Sequence, residues 1–143
     1  MSRNESGVLA VRLLALLAIH PDGLVSSDRL GDLLGANPAV LRRLIARMKW
    51  DGLVETRRGA GGGTALSREP ASISLGRVHR ALAGRDDEAP GTALAVAMAA
   101  AEAAYVKELD RWTVAQVMEG FPESRRNNES YESPGAEEDP HRS

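Results

Sequence analysis

The chain has 143 residues, of which 43% are hydrophobic and only 3% aromatic. A core must therefore be built from Leu, Val, Ile and Ala, which suits helices packed on helices better than a β-sandwich. There is no cysteine, so disulfides, a thiol nucleophile and any cysteine-ligated metal or cluster are excluded. The net charge of −2 hides an asymmetry: residues 36–80 carry nine Arg and Lys against three acids, whereas residues 121–143 carry six acids against three Arg. A basic field of that kind suits phosphate binding even when the whole chain is acidic.

Residues 1–7 are polar and show no secretory pattern. The apolar stretches near 8–19 and 93–101 are too short to cross a bilayer, so a soluble cytoplasmic protein with no membrane partner is expected. Residues 5–19 read as a first helix. Val8, Leu9, Leu13, Leu16 and Leu17 keep helical spacing, while Val11, Leu14 and Ile19 widen the apolar surface. A helix apolar on most sides needs cover on most sides, some of which a partner subunit can supply. His20-Pro21-Asp22-Gly23 marks a turn. Ser26 and Ser27 are N-cap residues for a short second helix with Leu30, Leu33 and Leu34 on one face and Gly35 at its end.

The third helix has the clearest start. Asn37 is a favoured N-cap, and Pro38 at the first helical position loses no hydrogen bond. Leu41, Leu44, Ile45 and Met48 form one stripe. Ala39, Arg42, Arg43, Ala46, Arg47 and Trp50 lie opposite, and Gly52 ends the helix. Leu53–Thr56 and Thr64–Ser67 read as a β-hairpin around the basic, glycine-rich tip Arg57-Arg58-Gly59-Ala60-Gly61-Gly62-Gly63. No Lys-Ser/Thr pair follows that tip, so it is not a Walker phosphate loop. Residues 74–83 form a fourth helix through Leu75, Val78 and Leu82, and 84–91 a polar break. Residues 92–111 form a long Ala-rich helix bearing Leu94, Ala97, Met98, Ala101, Ala104, Tyr105 and Leu109. Thr113 caps a short last helix, and residues 121–143 read as a disordered acidic tail.

Two short helices, the second basic, followed by a hairpin with a basic tip, follow the order of a winged helix-turn-helix. The fold expected is mainly α with a small β-hairpin: a winged helix-turn-helix domain over 1–84, a dimerisation helix and closing helix over 85–120, and the tail over 121–143. The recognition helix would present Ala39, Arg42 and Arg43 to base edges in a major groove. The glycines would let the wing approach a backbone closely, and Arg58 would reach a minor groove. Each signal alone has a plainer reading, since basic residues opposite an apolar stripe are usually a solvated face and a Gly-rich loop is usually a flexible turn. Their order is what carries weight.

Gly52 to Gly63 resembles the wing signature of the bacterial regulator family of IscR, NsrR and CymR, the Rrf-two type. Gly7 to Leu14 resembles that family's first helix, Leu41 to Gly52 its recognition helix, Ile73-Ser74-Leu75 the start of its fourth helix and Thr113-Val114-Ala115 its closing segment. The resemblance spans about residues 7–118. It implies a homodimer paired through the long helix, with Leu94, Met98, Ala101, Tyr105 and Leu109 at the interface, bound to a pseudo-palindromic operator. It places Ala39, Arg42 and Arg43 where the family reads bases and Arg58 at its minor-groove arginine. Arg47, Lys49 and Arg57 are expected at phosphates, with Gly59, Gly61 and Gly62 shaping the wing. Many members bind an iron–sulphur cluster through three cysteines near the long helix. This chain has none there, so no cluster and no cofactor are expected. Arg42 and Arg43 replace an acid and an amide common in the family, Glu5 and Ser6 stand where basic residues are common, and Thr64 replaces a frequent aromatic.

The function expected is a sequence-specific DNA-binding transcriptional regulator, a repressor in the first instance, open to a small-molecule or protein effector. The competing reading is a winged-helix module that docks a partner protein. No nucleophile–base pair or metal set stands out, so no enzyme is expected. His79 reads as a satisfied interfacial histidine rather than a ligand; His20 and His141 join it in no metal spacing. Trp50 and Trp112 read as packing residues, Asp86, Asp87 and Glu88 as a solvated linker, and the stripe Met98, Ala101, Tyr105 as interface rather than a pocket.

Overall fold

The structure is a computed structural model that describes residues 3–21, 23–83 and 92–120. The polar break at 84–91 and the acidic tail at 121–143 lie outside the described residues. Eight main elements follow in order: α1 (Arg3–Ile19), α2 (Ser27–Leu34), α3 (Pro38–Trp50), β1 (Val54–Arg57), β2 (Gly63–Leu66), α4 (Leu75–Ala83), α5 (Ala93–Leu109) and α6 (Val114–Glu119). A single 3-10 turn at Pro70–Ser72 joins β2 to α4. None of the described helices is long and apolar enough to cross a membrane.

The helix starts follow their capping chemistry. Ser26 Oγ accepts the Arg29 N–H at 3.2 Å, and Asn37 Oδ1 accepts the Ala39 N–H at 2.8 Å. Each satisfies one of the amide groups that a helix N-terminus leaves without a partner. Thr92 caps α5 in the same way. At α6 the bond is reciprocal: Thr113 Oγ1 accepts from Gln116 N–H, while Gln116 Oε1 accepts from Thr113 N–H at 2.9 Å.

The core is built around α1. Leu13, Leu14 and Leu16 are buried on different sides of it, together with Leu30 of α2, Leu41 and Met48 of α3, Val78 of α4 and Val114 of α6. Most of the apolar surface on α1 is thus matched inside the chain, with α4 and α6 as its main covers, while Val8 near its start is 58% exposed. On α3 the stripe Leu41, Leu44, Ile45 and Met48 is buried, and Arg42, Arg43, Ala46 and Arg47 are exposed.

The hairpin sits one residue nearer its tip than the sequence suggests. Its ladder pairs Val54 with Leu66 and Arg57 with Gly63. Leu53 is left outside because it serves the helix before it: its N–H donates to Met48 O at 2.9 Å and its carbonyl accepts from Ser67 N at 3.0 Å. Thr64 is buried and exchanges two backbone bonds of 2.9 Å with Val25. That exchange locks the tip end of the hairpin ladder against the segment leading into α2.

Trp50 corrects one expectation. It is 94% exposed, with almost no cover from the described residues. Its place two residues beyond Met48 turns it to the face opposite the buried stripe. Trp112 is also exposed, and its main fixed role is its backbone carbonyl, which accepts from Leu75 N–H at 2.9 Å.

Candidate nucleic-acid interface

The exposed face of α3 and the hairpin form two walls of one groove. It encloses about 330 Å³ and is lined by Arg42, Ala46 and Lys49 from the helix, Thr56, Arg57 and Arg58 from the hairpin, and Ser27 at the start of α2. The hairpin tip is a compact turn: Gly62 N–H donates to Gly59 O at 3.0 Å. A side chain at position 62 would collide with the Arg57 carbonyl, so the tip tolerates only glycine there.

The basic residues fall into two sets. Arg47, Arg68, Arg77 and Arg80 are engaged in structure. Arg47 Nη1 donates to the Leu82 carbonyl at 2.8 Å, Arg68 Nε to the Gly52 carbonyl at 3.2 Å, and Arg77 to Asp51. Arg80 makes a two-pronged bond to Asp110. By contrast Arg42, Arg43, Arg57 and Arg58 are exposed, and among the described residues no side-chain acceptor or carboxylate engages them. Like charges gathered without counter-charges raise the local potential and are a site for a polyanion rather than a stability device.

Of the residues singled out from sequence, the fold brings Arg42, Lys49, Arg57 and Arg58 to one groove. Ala39 and Arg43 are exposed on α3 outside that groove lining. Arg47 reaches instead to α4, and Lys49 Nζ bridges to Thr56 Oγ1 at 2.8 Å, tying helix to hairpin. Gly59 and Gly61 lie at the exposed tip, with Gly62 half-buried beneath it. Ser27 and Thr56 escaped sequence reasoning as groove residues. Ser27 reads only as a cap, and Thr56 as one strand residue among several; the pairing of Lys49 with Thr56 depends on the angle between α3 and β1, which no local pattern reports.

The long helix α5 presents a second surface. Leu94, Met98, Ala101 and Tyr105 are exposed, and Leu109 is half-buried. Of its 17 residues only Val106 is buried.

The family described as "Rrf2: Iron-dependent Transcriptional regulator" matches residues 3–120. A protein described as an HTH-type transcriptional regulator, YwnA of Bacillus subtilis (strain 168), is 32% identical over 84 residues. That match covers 59% of this chain and 61% of YwnA, so about two fifths of the relative lies beyond it. Among solved structures, T. potens IscR is similar at 28% identity and a TM-score of 0.65, covering 87% of this chain and 88% of that one. Staphylococcus aureus CymR in its oxidized form shares the fold at 24% identity and a TM-score of 0.66, covering 85% and 99%. The family description speaks of iron, but the residues present here do not fit an iron centre. The chain has no cysteine, and no three His, Asp or Glu among the described residues converge to hold a metal ion.

Proposed function

The chain belongs to the Rrf2 family of transcriptional regulators, and from that premise we propose that it binds a pseudo-palindromic operator as a homodimer and acts as a repressor. The observation that carries this reading is that Arg42 of α3 and Arg57 and Arg58 of the hairpin, exposed and unpaired among the described residues, line one groove enclosed by helix and wing. In this reading α3 enters the major groove. Ala39, near its N-terminus, leaves room for close approach, and Arg42 and Arg43 reach base edges, where an arginine forks onto guanine. Arg58 reaches the adjacent minor groove, where narrowing concentrates negative potential. Arg57 and Lys49 add phosphate attraction, and Arg47 acts from behind by holding α3 on α4. The exposed apolar face of α5 meets its two-fold mate and sets two recognition helices about one DNA turn apart, roughly 34 Å.

The experiment is selection of genomic DNA fragments by the purified protein, followed by gel shift on the enriched sequence. An inverted repeat should be enriched. Arg58→Ala should weaken binding at least about fivefold, since a lost groove contact is worth roughly 1–3 kcal/mol, while the circular dichroism spectrum stays unchanged. Affinity should also fall steeply with salt, because each neutralised phosphate releases counterions. Equal affinity of Arg58→Ala and the parent would remove the wing arginine from the interface.

A further inference from the structure

Trp50 is the last residue of α3 and is 94% exposed. Exposure alone says little, since single apolar residues are common on protein surfaces. Its line along the helix says more. At about 100° per residue, Trp50 stands within about 20° of Ala39, eleven residues earlier, and of Arg43, seven earlier. Ala46 falls close to the same line. All four are exposed, and the buried stripe Leu41, Leu44, Ile45 and Met48 lies behind them. The outermost crest of α3 therefore runs alanine, arginine, alanine, tryptophan.

The helix end that carries Trp50 is held firmly. Asp51 N–H donates to Arg47 O at 3.2 Å and Leu53 N–H to Met48 O at 2.9 Å, closing the last turn. The Asp51 carboxylate is paired with Arg77 Nε at 3.4 Å, and Arg77 Nη2 donates to the Asp51 carbonyl at 3.3 Å. The acid next to Trp50 in sequence is thus already matched by a cation of α4. Arg47 and Arg43, about one and two turns back, keep the surroundings basic.

Length decides what Trp50 meets. Ala39 and Trp50 are about 16 Å apart along the helix, at about 1.5 Å per residue. A recognition helix puts its first turns at base edges, and the major groove is about 12 Å wide. The far end of the crest has then left the bases and stands at a sugar–phosphate strand. An indole suits that strand. Its face is apolar, like the carbons of a deoxyribose, and its Nε1–H only donates, while phosphate oxygens accept.

We propose that Trp50 contacts the DNA backbone at the wall of the major groove, its ring on a sugar and its Nε1–H on a phosphate oxygen, and so fixes how α3 is seated. A contact of this kind positions the helix without reading sequence. It presupposes the DNA-binding reading above and adds to it a neutral anchor at the opposite end of α3 from Ala39.

The test uses the full chain and the inverted-repeat fragment it enriches, measured by gel shift over a range of salt. Trp50→Ala should weaken binding at least about fivefold, the worth of one hydrogen bond with its apolar cover. Trp50→Phe, which keeps an apolar face and loses the donor, should fall between. Trp50 is exposed, so both variants should keep the parent's urea midpoint. The indole is neutral, so the salt dependence should keep the parent's slope, whereas loss of a phosphate-bound arginine lowers that slope by about one. Fragments altered at single base pairs should lose the same factor as the enriched sequence. Emission gives an independent measurement. The chain has two tryptophans, so Trp112→Phe leaves Trp50 as the sole reporter, and the fragment should shield it from acrylamide. Undiminished affinity in Trp50→Ala, or acrylamide quenching that the fragment leaves unchanged, overturns the contact while the regulator reading stands. A loss that varies among the base-pair variants overturns it in favour of a base contact. Shielding that follows protein concentration in the absence of DNA overturns it in favour of a second copy of the chain. A parent that binds no DNA overturns the regulator reading and this contact together.

Discussion

Helices α1 and α5 are each 17 residues long, and both are apolar around most of their circumference. Their fates in the fold are opposite. On α1, Leu9, Ala10, Leu13, Leu14, Ala15, Leu16, Leu17 and Ile19 are buried by other elements of the same chain, whereas α5 buries only Val106. Leu94 is 71% exposed and Met98 63%. A stretch of this kind left in water costs about 25 cal/mol for each Å² of apolar surface that cover would remove, and contiguous exposed apolar surface on a soluble domain marks a meeting place. The lesson is that periodicity tells how much of a helix wants cover and not who supplies it. For α1 from Leu9 onward the supplier is the chain itself, Val8 staying exposed. For α5 the proposed supplier is a second copy, and its many alanines allow the close approach of helix backbones that such packing needs.

Two substitutions would break that comparison if it were wrong. Leu13 is fully buried at the centre of α1, so Leu13→Ala removes packed methyl groups and leaves a cavity. The loss should be about 2–5 kcal/mol in chemical denaturation. The matching change Leu94→Ala on α5, measured at concentrations that keep the chain monomeric, should fall within about 0.5 kcal/mol of the parent. Similar losses at both sites would mean that α5 is covered within its own chain. Next in size is Met98→Glu. A carboxylate placed in an apolar contact is costly to desolvate, so sedimentation equilibrium should show self-association weakened at least tenfold with helix content retained. Undiminished association would move the mate to another face.

Much of this was legible in the sequence, and the reasons are local. Asn37-Pro38 marked the start of α3, and the spacing of Leu41, Leu44, Ile45 and Met48 marked its buried side, because caps and helical periodicity act within a few residues. The clustering of Arg42, Arg57 and Arg58 followed from the order of helix and hairpin. What escaped reading depends on angles between elements. Arg47 and Arg42 look alike on a helical wheel, yet one reaches the end of α4 and the other the groove. Trp50 looked like a packing residue by type, but type does not outweigh its place opposite the stripe. Leu53 reads as strand because it continues the run Val54-Glu55-Thr56 after the helix-ending Gly52, and the fold uses it instead to close α3 and fill the core. His79 read as a satisfied histidine, and Glu102 of α5 does face it.

The smallest predicted effect concerns the C-terminal end of α5. Asp110, just past the helix, accepts from Arg80 Nη1 at 3.0 Å and Nη2 at 2.8 Å, and from Ser74 Oγ at 2.8 Å. The Arg80 guanidinium first, and the Ser74 hydroxyl second, hold the Asp110 carboxyl below the usual carboxylate range, and the same contact raises Arg80. A carboxyl depressed by folding stabilises the fold fully above its unfolded value, and that contribution is lost as pH falls through its folded one. Both groups are more than a third exposed, so solvent screens the pair and the effect is modest. The window is the acid limb below about pH 4; the matching loss for Arg80 lies far above neutrality. Asp110→Asn should therefore lower the urea midpoint slightly at pH 7, and its curve should converge on the parent's as pH falls from about 4 towards 2. High salt should shrink the gap at pH 7. Parallel curves down to pH 2 would mean that the carboxylate charge does no more than an amide there, and that packing and backbone bonds hold this end of α5.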